Sequence, residues 1–262
     1  MTAIAAKDVQ ELRKATGAGM MDAKKALTEA GGDQERATQI LREKGLAKAA
    51  GRTDRDNAEG LVAIARDGST AALIHLRSET DFAAKSDDFR AMAQELVDLV
   101  LASGPDALAD PKIGTKLEDL KLTVKENIEV GTAVRYEAPA GHALDAYLHG
   151  EGRAGVLIEG EGIEPETLHE IALHATFAKP AYLRREDVPA GDVEAERAAL
   201  IEITKAEGKP EQAWPKIVEG RLNSWYGERV LLEQGVFGDK ETVASRIGSG
   251  SITRFTLAVV GG

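Results

Sequence analysis

The sequence predicts an α+β protein with a three-helix N-terminal bundle, a core of two α+β halves with small antiparallel sheets, and a projecting antiparallel helical hairpin. Three observations predict this fold. Apolar residues recur at helical spacing within residues 1–45 and 89–100. A weak internal duplication places two hairpin-and-helix units in the middle of the chain. Two further helical runs are joined by the turn sequence Gly208-Lys209-Pro210.

The predicted segments differ in composition. Residues 48–57 are polar and charged and lack apolar periodicity, so we expect a linker there. The predicted boundaries are 1–50 for the three-helix domain, 51–58 for the linker, 59–140 for the first half of the core, 141–190 and 228–262 for the second half, and 191–227 for the hairpin inserted in it.

Each N-terminal helix is predicted from an apolar face and a start or stop signal. Asp22 is expected to cap the second helix and Asp33 the third, while Gly31-Gly32 ends the second. The residues expected to face inward are Val9, Leu12, Ala23, Ala26, Leu27, Ala37, Ile40 and Leu41.

The first half of the core is predicted from a hairpin and an amphipathic helix. Residues 61–66 and 70–76 have strand character and flank the turn Asp67-Gly68. We expect residues 122–136, with alternating apolar positions, to complete this sheet. The following apolar residues are spaced as one face of a helix: Phe89, Met92, Ala93, Leu96, Val97 and Val100.

The second half repeats this pattern. Residues 143–148 and 155–158 flank a glycine-containing turn and predict a second hairpin. A helix opened by Pro165 follows and ends at Lys179-Pro180. We expect residues 252–260 to form the last strand of this sheet.

The helical hairpin is predicted from a seam of apolar residues. Pro215 should kink the second helix or delay its start, because proline does not fit a helix interior. The seam is expected to contain Val193, Leu200, Ile203 and Glu207 on one helix and Ile217, Leu222 and Trp225 on the other.

Composition excludes several classes of function. The net charge of -11 disfavours broad binding to nucleic-acid phosphates. The absence of cysteine excludes thiol nucleophiles and zinc–thiolate sites. No stretch reaches 18 uncharged apolar residues, and residues 1–14 lack the apolar region of a signal peptide. We therefore expect a soluble cytoplasmic protein that binds neither nucleic acid nor membrane.

Candidate catalytic and ligand sites are weak. Gly17-Ala18-Gly19 lacks the lysine and hydroxyl residue of a phosphate-binding loop. His169 and His174 are five residues apart, about 140° around a helix, which disfavours a shared metal. His75 is expected to be a hydrogen-bonded structural histidine. The sequence thus predicts no catalytic residue, no metal site and no cofactor, and a binding or regulatory protein is favoured over an enzyme.

The polar stretch SETDFAAK, residues 78–85, contains one large aromatic ring, Phe82. Two interpretations follow from the residues alone. Phe82 either folds back on its own helix as an apolar staple, or it is exposed because its pocket belongs to another protein. The residues themselves favour the first interpretation.

Three stretches resemble one family. They are LRKATGAGMMDAKKAL at residues 12–27, TDFAAK at residues 80–85 and VEGR at residues 218–221. Together with His149-Gly150, Lys179-Pro180 and Gly208-Lys209-Pro210, they closely resemble bacterial translation elongation factor Ts in order along nearly the whole chain.

The resemblance implies a guanine-nucleotide exchange factor that binds elongation factor Tu, both GDP-bound and nucleotide-free, and has no cofactor of its own. It implies that the three-helix domain is ubiquitin-associated-like. It also implies that Asp81 and Phe82, preceded by Thr80, insert near the magnesium and phosphates of the Tu GTPase domain. The other implied Tu contacts are Leu12, Arg13, Met20, Met21, His149 and Gly150.

The sequence departs from the family pattern at three points. Ala83 stands where valine is common, Val124-Lys125 where Ile-Gly is usual, and residues 234–237 read Gln-Gly-Val-Phe instead of Gln-Pro-Phe. Two rival functions stay open at this point: a Tu-binding scaffold without exchange activity, and a hydrolase with paired carboxylates. The helical hairpin is open to pairing with a second copy, to lying against Tu, or to projecting freely.

Overall fold

A computed structural model describes residues 4–16, 18–50 and 55–262, without the side chains of residues 46–50. The described residues belong to two compact units. One unit is drawn from Met1–Leu61, Ile74–Ala133 and Val260–Gly262, and the other from Val62–Leu73 and Val134–Val259. Helices and two antiparallel three-stranded sheets make up the chain, so the predicted α+β class is confirmed.

The helices of the described residues are numbered in chain order. They are α1 (Ala6–Thr16), α2 (Met20–Glu29), α3 (Gln34–Ala50), α4 (Asp81–Ala84), α5 (Asp87–Ser103), α6 (Pro111–Val124), α7 (Pro165–Ala178), α8 (Ala190–Ala206), α9 (Trp214–Arg229) and α10 (Val243–Arg246).

The strands are numbered likewise and form two sheets. They are β1 (Glu59–Asp67), β2 (Thr70–Ser78), β3 (Glu129–Glu137), β4 (His142–His149), β5 (Ala154–Glu161) and β6 (Ser251–Val259). Each sheet has its strands in sequence order, β1-β2-β3 and β4-β5-β6.

Helices α1–α3 enclose a small core. Gly31 and Gly32 end α2 with φ of 67° and 93°, a conformation that glycine adopts at little cost. The Asp33 carboxylate accepts from Arg36 N at 2.9 Å and caps α3 as predicted, whereas Gly19, not Asp22, precedes α2. The buried residues are Val9, Leu12, Ala23, Ala26, Leu27, Ala37 and Ile40.

Helix α3 is longer than the sequence indicates. It runs to Ala50, so residues 48–50 are helical although we expected a linker from residue 48. Residues 51–54 of the predicted linker lie outside the described residues. Earlier in the same helix, Arg42 Nη2 lies 2.8 Å from Asp119 Oδ1 of α6.

Helix α6 corrects a second prediction. Residues 122–124 end a helix instead of starting a strand, and β3 begins only at Glu129. Asp110 caps this helix by accepting from Lys112 N at 2.8 Å, and Pro111 occupies its first turn. Ile113 and Leu120 are buried seven residues apart, which is helical and not strand spacing.

Lys125 ends α6 in the left-handed region, with φ 66° and ψ 31°. The resembling family usually has glycine at this position. Left-handed backbone costs a non-glycine residue about 1–2 kcal/mol, and the greater chain entropy of glycine offsets about 0.5–1 of it. We expect Lys125→Gly to raise the free energy of unfolding by about 1 kcal/mol in urea denaturation.

The same change inside the helix serves as the control. Lys121→Gly should lower the free energy of unfolding by about 0.5–1 kcal/mol, because glycine is a poor helix former. Equal losses at both positions would contradict the left-handed cap at Lys125.

The second sheet is covered by α7. Strand β5 pairs with β4 through Ile158 and Asp145 and with β6 through Ile158 and Phe255. The predicted last strand is therefore confirmed as part of this sheet. The buried core includes Val156, Ile158, Leu168, Ile171, Ala172, Ala175 and Ile252.

The predicted helical hairpin is formed by α8 and α9. Pro215 lies in the first turn of α9, so it delays the start of the helix instead of kinking it. An ion pair joins the two arms of the hairpin: Arg221 Nη2 donates to both carboxylate oxygens of Glu207 at 2.7 Å.

The seam of the hairpin differs from the predicted one. Ile203 is 49% exposed, and Val218, not Ile217, is buried. The residues that form the hairpin core are Val188, Leu200, Val218, Leu222, Tyr226 and Val230.

His75 lies in β2 and is 3% exposed. We expected it to be fully hydrogen-bonded, but its Nε2 has no partner among the described residues. Burial, together with the nearby Arg77 charge, lowers the pKa of His75 to about 4. The ring is therefore neutral at neutral pH, which avoids an unpaired buried charge.

Candidate partner-binding site

The stretch that carries Phe82 forms a short helix between two capping residues. Thr80 Oγ1 accepts from Ala83 N at 3.3 Å and caps α4. Ser86 Oγ accepts from Phe89 N at 3.4 Å, capping α5, and donates to Ala83 O at 2.7 Å. Both ends of α4 are therefore held by side chains, which fixes Asp81 and Phe82 in its first turn.

Phe82 is 82% exposed, more than any other large apolar side chain of the described residues. Ala83 and Ala84, which follow it, are 5% and 6% exposed. The helix thus buries its small residues and presents the large ring to solvent. The interpretation in which Phe82 folds back on its own helix is wrong.

Asp81 stands beside the exposed ring. Its Oδ2 lies 2.6 Å from Lys85 Nζ, and this hydrogen bond is the main cause that lowers the pKa of Asp81. The carboxylate is ionised at neutral pH and its side chain is 44% exposed. An apolar ring and a negative charge are therefore offered together at one tip.

The predicted residues of the N-terminal bundle divide into exposed and buried ones. Met20 and Met21, in the first turn of α2, are 52% and 63% exposed. Arg13 is exposed, and its Nε donates to Ala18 O at 3.4 Å. Leu12 is 1% exposed and packs in the three-helix core, so its side chain is not part of the surface.

His149 and Gly150 lie in the other unit, where β4 ends in a turn. Both are exposed, and Gly150 has φ 58°. His149 O accepts from Gly152 N and Arg153 N, which closes the turn. The ring is oriented by a 2.9 Å hydrogen bond between Tyr147 Oη and His149 Nδ1.

Besides Phe82, the structure has an exposed pair of aromatic rings that the sequence did not indicate. Phe177 and Phe237 are 69% and 48% exposed, with ring centroids 6.2 Å apart. Phe237 has φ 51°, and its N donates to His174 Nδ1 at 3.1 Å. The Nε2 of His174 therefore carries the proton and donates to Gln234 Oε1 at 3.1 Å.

This loop also explains a departure from the family pattern. A side chain at Gly235 would bring its Cβ within 1.9 Å of Asp239 O. Proline at position 235, as in the usual Gln-Pro-Phe, does not fit this backbone. The chain path at 234–239 is thus specific to the glycine.

The described residues contain neither a metal-binding cluster nor a membrane-spanning helix. No group of three or more His, Asp or Glu side chains in residues 4–16, 18–50 and 55–262 is arranged to hold a metal ion. In the same part of the chain, each helix is too short or too polar to cross the hydrocarbon core of a bilayer. His169, 3.0 Å from Asp145, and His174, bound to Gln234, have separate partners.

The comparisons with known proteins agree with one another. A family model described as Elongation factor TS matches residues 79–261. Elongation factor Ts of Cutibacterium acnes is 43% identical over 96% of each chain, and that of Clavibacter michiganensis subsp. michiganensis is 42% identical over 94% of each. The protein of that name from Deinococcus radiodurans is 37% identical over 97% of this chain and 99% of its own. The chain therefore belongs to the elongation factor Ts family.

Proposed function

We propose that the chain is a guanine-nucleotide exchange factor that binds elongation factor Tu, GDP-bound and nucleotide-free, and acts by inserting Asp81 and Phe82 near the magnesium and phosphates. The observation that carries this proposal is the 82% exposure of Phe82 on a helix held at both ends. Exchange involves no chemical step on this chain, so no catalytic residue is required.

The tip has the chemistry that such an insertion requires. A GTPase holds its nucleotide through backbone amides, a lysine and a magnesium ion that bridges phosphate oxygens. A phenyl ring entering this region displaces packed side chains, and an adjacent carboxylate competes for the cationic groups that hold the phosphates. Phe82 and Asp81 supply these two groups from one turn of α4.

Magnitudes indicate that the tip does not act alone. Shifting a two-state equilibrium from 1:99 to 99:1 takes about 5.5 kcal/mol of differential affinity. Burial of one phenylalanine ring supplies about 1.5–3 kcal/mol. The remaining free energy has to come from other contacts with Tu. The tip couples the free energy of those contacts to the nucleotide site.

The exposed residues of both units are the candidates for these contacts. We propose that Met20, Met21 and Arg13 bind the GTPase domain, with Leu12 supporting them from the core. His149 and Gly150 are the proposed contacts of the second unit, and the exposed Phe177–Phe237 pair is a separate candidate in that unit. Pairing of two copies through α8 and α9 stays a prediction.

Arg13 gives a test of the N-terminal contact. Its side chain is exposed, and its hydrogen bond to Ala18 O is long at 3.4 Å. Exposed ion pairs contribute about 0.2–1 kcal/mol, so Arg13→Ala should weaken Tu binding by up to about fivefold without changing the melting temperature. Isothermal titration calorimetry measures this, and unaltered affinity would remove Arg13 from the interface.

Linkage separates an exchange factor from a scaffold that merely binds Tu. An exchange factor lowers the affinity of Tu for nucleotide. Bound nucleotide lowers the affinity of Tu for the exchange factor by the same ratio. We therefore expect this chain to bind nucleotide-free Tu at least about 100-fold more tightly than Tu with GDP and magnesium, which is about 2.7 kcal/mol of coupling. Equal affinity for the two forms would support the scaffold.

A further inference from the structure

We propose that Glu126 is a positioning residue for the Asp81–Phe82 tip: its carboxylate clamps Thr80, and thereby fixes the start of α4. This inference rests on the proposed function, since it assigns a residue that keeps the inserting tip in place. Glu126 lies just after α6, 46 residues along the chain from Thr80.

The clamp consists of two hydrogen bonds to one residue. Glu126 Oε2 accepts from Thr80 N at 3.0 Å, and Oε1 accepts from Thr80 Oγ1 at 2.6 Å. The threonine hydroxyl donates its only hydrogen to Glu126, so a lone pair of Oγ1 is left to accept from Ala83 N. The carboxylate thus sets the direction of the cap that starts α4.

A second, reciprocal bond joins the same two segments. Glu79 Oε1 accepts from Asn127 N at 2.7 Å, so each segment donates a backbone N–H to the glutamate of the other. Glu79 Oε2 is also 3.2 Å from Arg55 Nη1. Asn127 and Ile128 are 3% and 1% exposed, which makes the segment after α6 a firm anchor.

The tip needs such an anchor because α4 has only four residues. Few hydrogen bonds of the helical type hold its backbone: Ala84 N to Thr80 O at 3.4 Å, Lys85 N to Asp81 O at 3.1 Å and Ser86 N to Ala83 O at 3.0 Å. Helices this short are not stable by themselves in water. A mobile tip would lose conformational entropy when it is ordered on insertion, and this loss would weaken binding. A tip that is already fixed does not have this cost.

The alternative is that Glu126 merely stabilises the fold. The two roles differ in what a substitution changes. Substitution of a purely structural residue lowers the melting temperature and leaves the exchange parameters of the folded protein unaltered. Substitution of a positioning residue displaces Phe82 and so lowers the maximal exchange rate. The docking contacts, and hence the half-saturating concentration, then stay nearly the same.

The experiment measures release of fluorescent GDP from Tu as a function of the concentration of the full-length chain. Glu126→Ala should lower the maximal rate about tenfold and change the half-saturating concentration less than about twofold. Glu126→Gln should recover most of the rate, since its amide oxygen can accept from Thr80 N and its NH2 can donate to Thr80 Oγ1. Glu118→Ala is the matched control and should keep the full rate, because Glu118 lies on α6, half-exposed, and pairs with Lys121 instead of Thr80.

A double substitution shows whether the effect passes through the ring. Glu126→Ala should slow exchange less in a Phe82→Ala background than in the unaltered chain, because the clamp then positions Asp81 without the ring. Thr80→Val, which loses only the hydroxyl, should reduce the rate as well. It is the variant to use if circular dichroism shows that Glu126→Ala is unfolded.

The outcomes separate the clamp from the proposed function. A full maximal rate for folded Glu126→Ala and Thr80→Val, or losses that add to that of Phe82→Ala, would overturn the clamp while Phe82 kept its role. If the unaltered chain did not accelerate GDP release, the proposed function itself would fail. Both are supported if Glu126→Ala lowers the maximal rate in the unaltered chain and lowers it less in the Phe82→Ala background.

Discussion

Phe82→Ala should lower the rate of GDP release from elongation factor Tu by about 10- to 150-fold, as the loss of about 1.5–3 kcal/mol of ring burial requires. The ring is 82% exposed in the free chain, so its removal takes no contact from the core. We therefore expect the melting temperature and circular dichroism spectrum of the variant to match those of the unaltered chain. Stopped-flow fluorescence of labelled GDP measures the rate.

The control for this prediction is Ile203→Ala. Ile203 is also a large exposed apolar residue, 49% accessible, but it lies on the helical hairpin. Its substitution should leave GDP release unchanged. Undiminished exchange by Phe82→Ala would remove the ring from the mechanism, and equal losses in both variants would indicate a general effect of surface hydrophobicity.

The free energy of unfolding should fall by about 3 kcal/mol, through His75 alone, as the pH decreases from about 6.5 to about 4. The folded-state pKa of His75 is lowered to about 4, while an unfolded chain has the ordinary value near 6.5. Between these pH values the unfolded state binds a proton that the folded state does not. Stability is thus fully present above the unfolded pKa and lost as the pH falls.

His174 acts in the same direction. Burial lowers its pKa, and the hydrogen bond with Gln234 opposes this shift. The unaltered chain should therefore show the sum of two histidine contributions, and His75→Leu should remove the larger one.

Urea denaturation at pH 7, 5.5 and 4.5 tests the His75 prediction. The difference in unfolding free energy between unaltered chain and His75→Leu should change by about 2–3 kcal/mol across this range. A constant difference would show that His75 titrates alike in the folded and unfolded states, which would contradict its burial as a neutral ring.

Several helices follow directly from the sequence, because their apolar spacing and caps agree. The core residues of α1–α3 and the Asp33 cap are examples. Where two adjacent apolar residues could each face the core, the local sequence pattern does not decide which one is buried. In α9, apolar residues are adjacent at Ile217-Val218 and Trp225-Tyr226, so periodicity alone does not choose which of each pair is buried.

Residues that act through distant partners were not predictable in this way. The residues alone favoured a Phe82 ring folded back on its helix, and only the family resemblance implied that it is exposed. Glu126 holds Thr80 across 46 residues and leaves no local signal in the sequence. Phe237 was missed for another reason. Its exposure depends on a left-handed backbone, φ 51°, and on the close approach at Gly235, neither of which composition or spacing reveals.

The rate of labelled GDP release from elongation factor Tu, measured with increasing amounts of this chain, tests the central claim most directly. Insertion of the Asp81–Phe82 tip predicts a rate that rises with concentration and saturates when all Tu is bound, at a value far above spontaneous release. A chain that binds Tu to saturation while GDP leaves at its spontaneous rate would contradict the account.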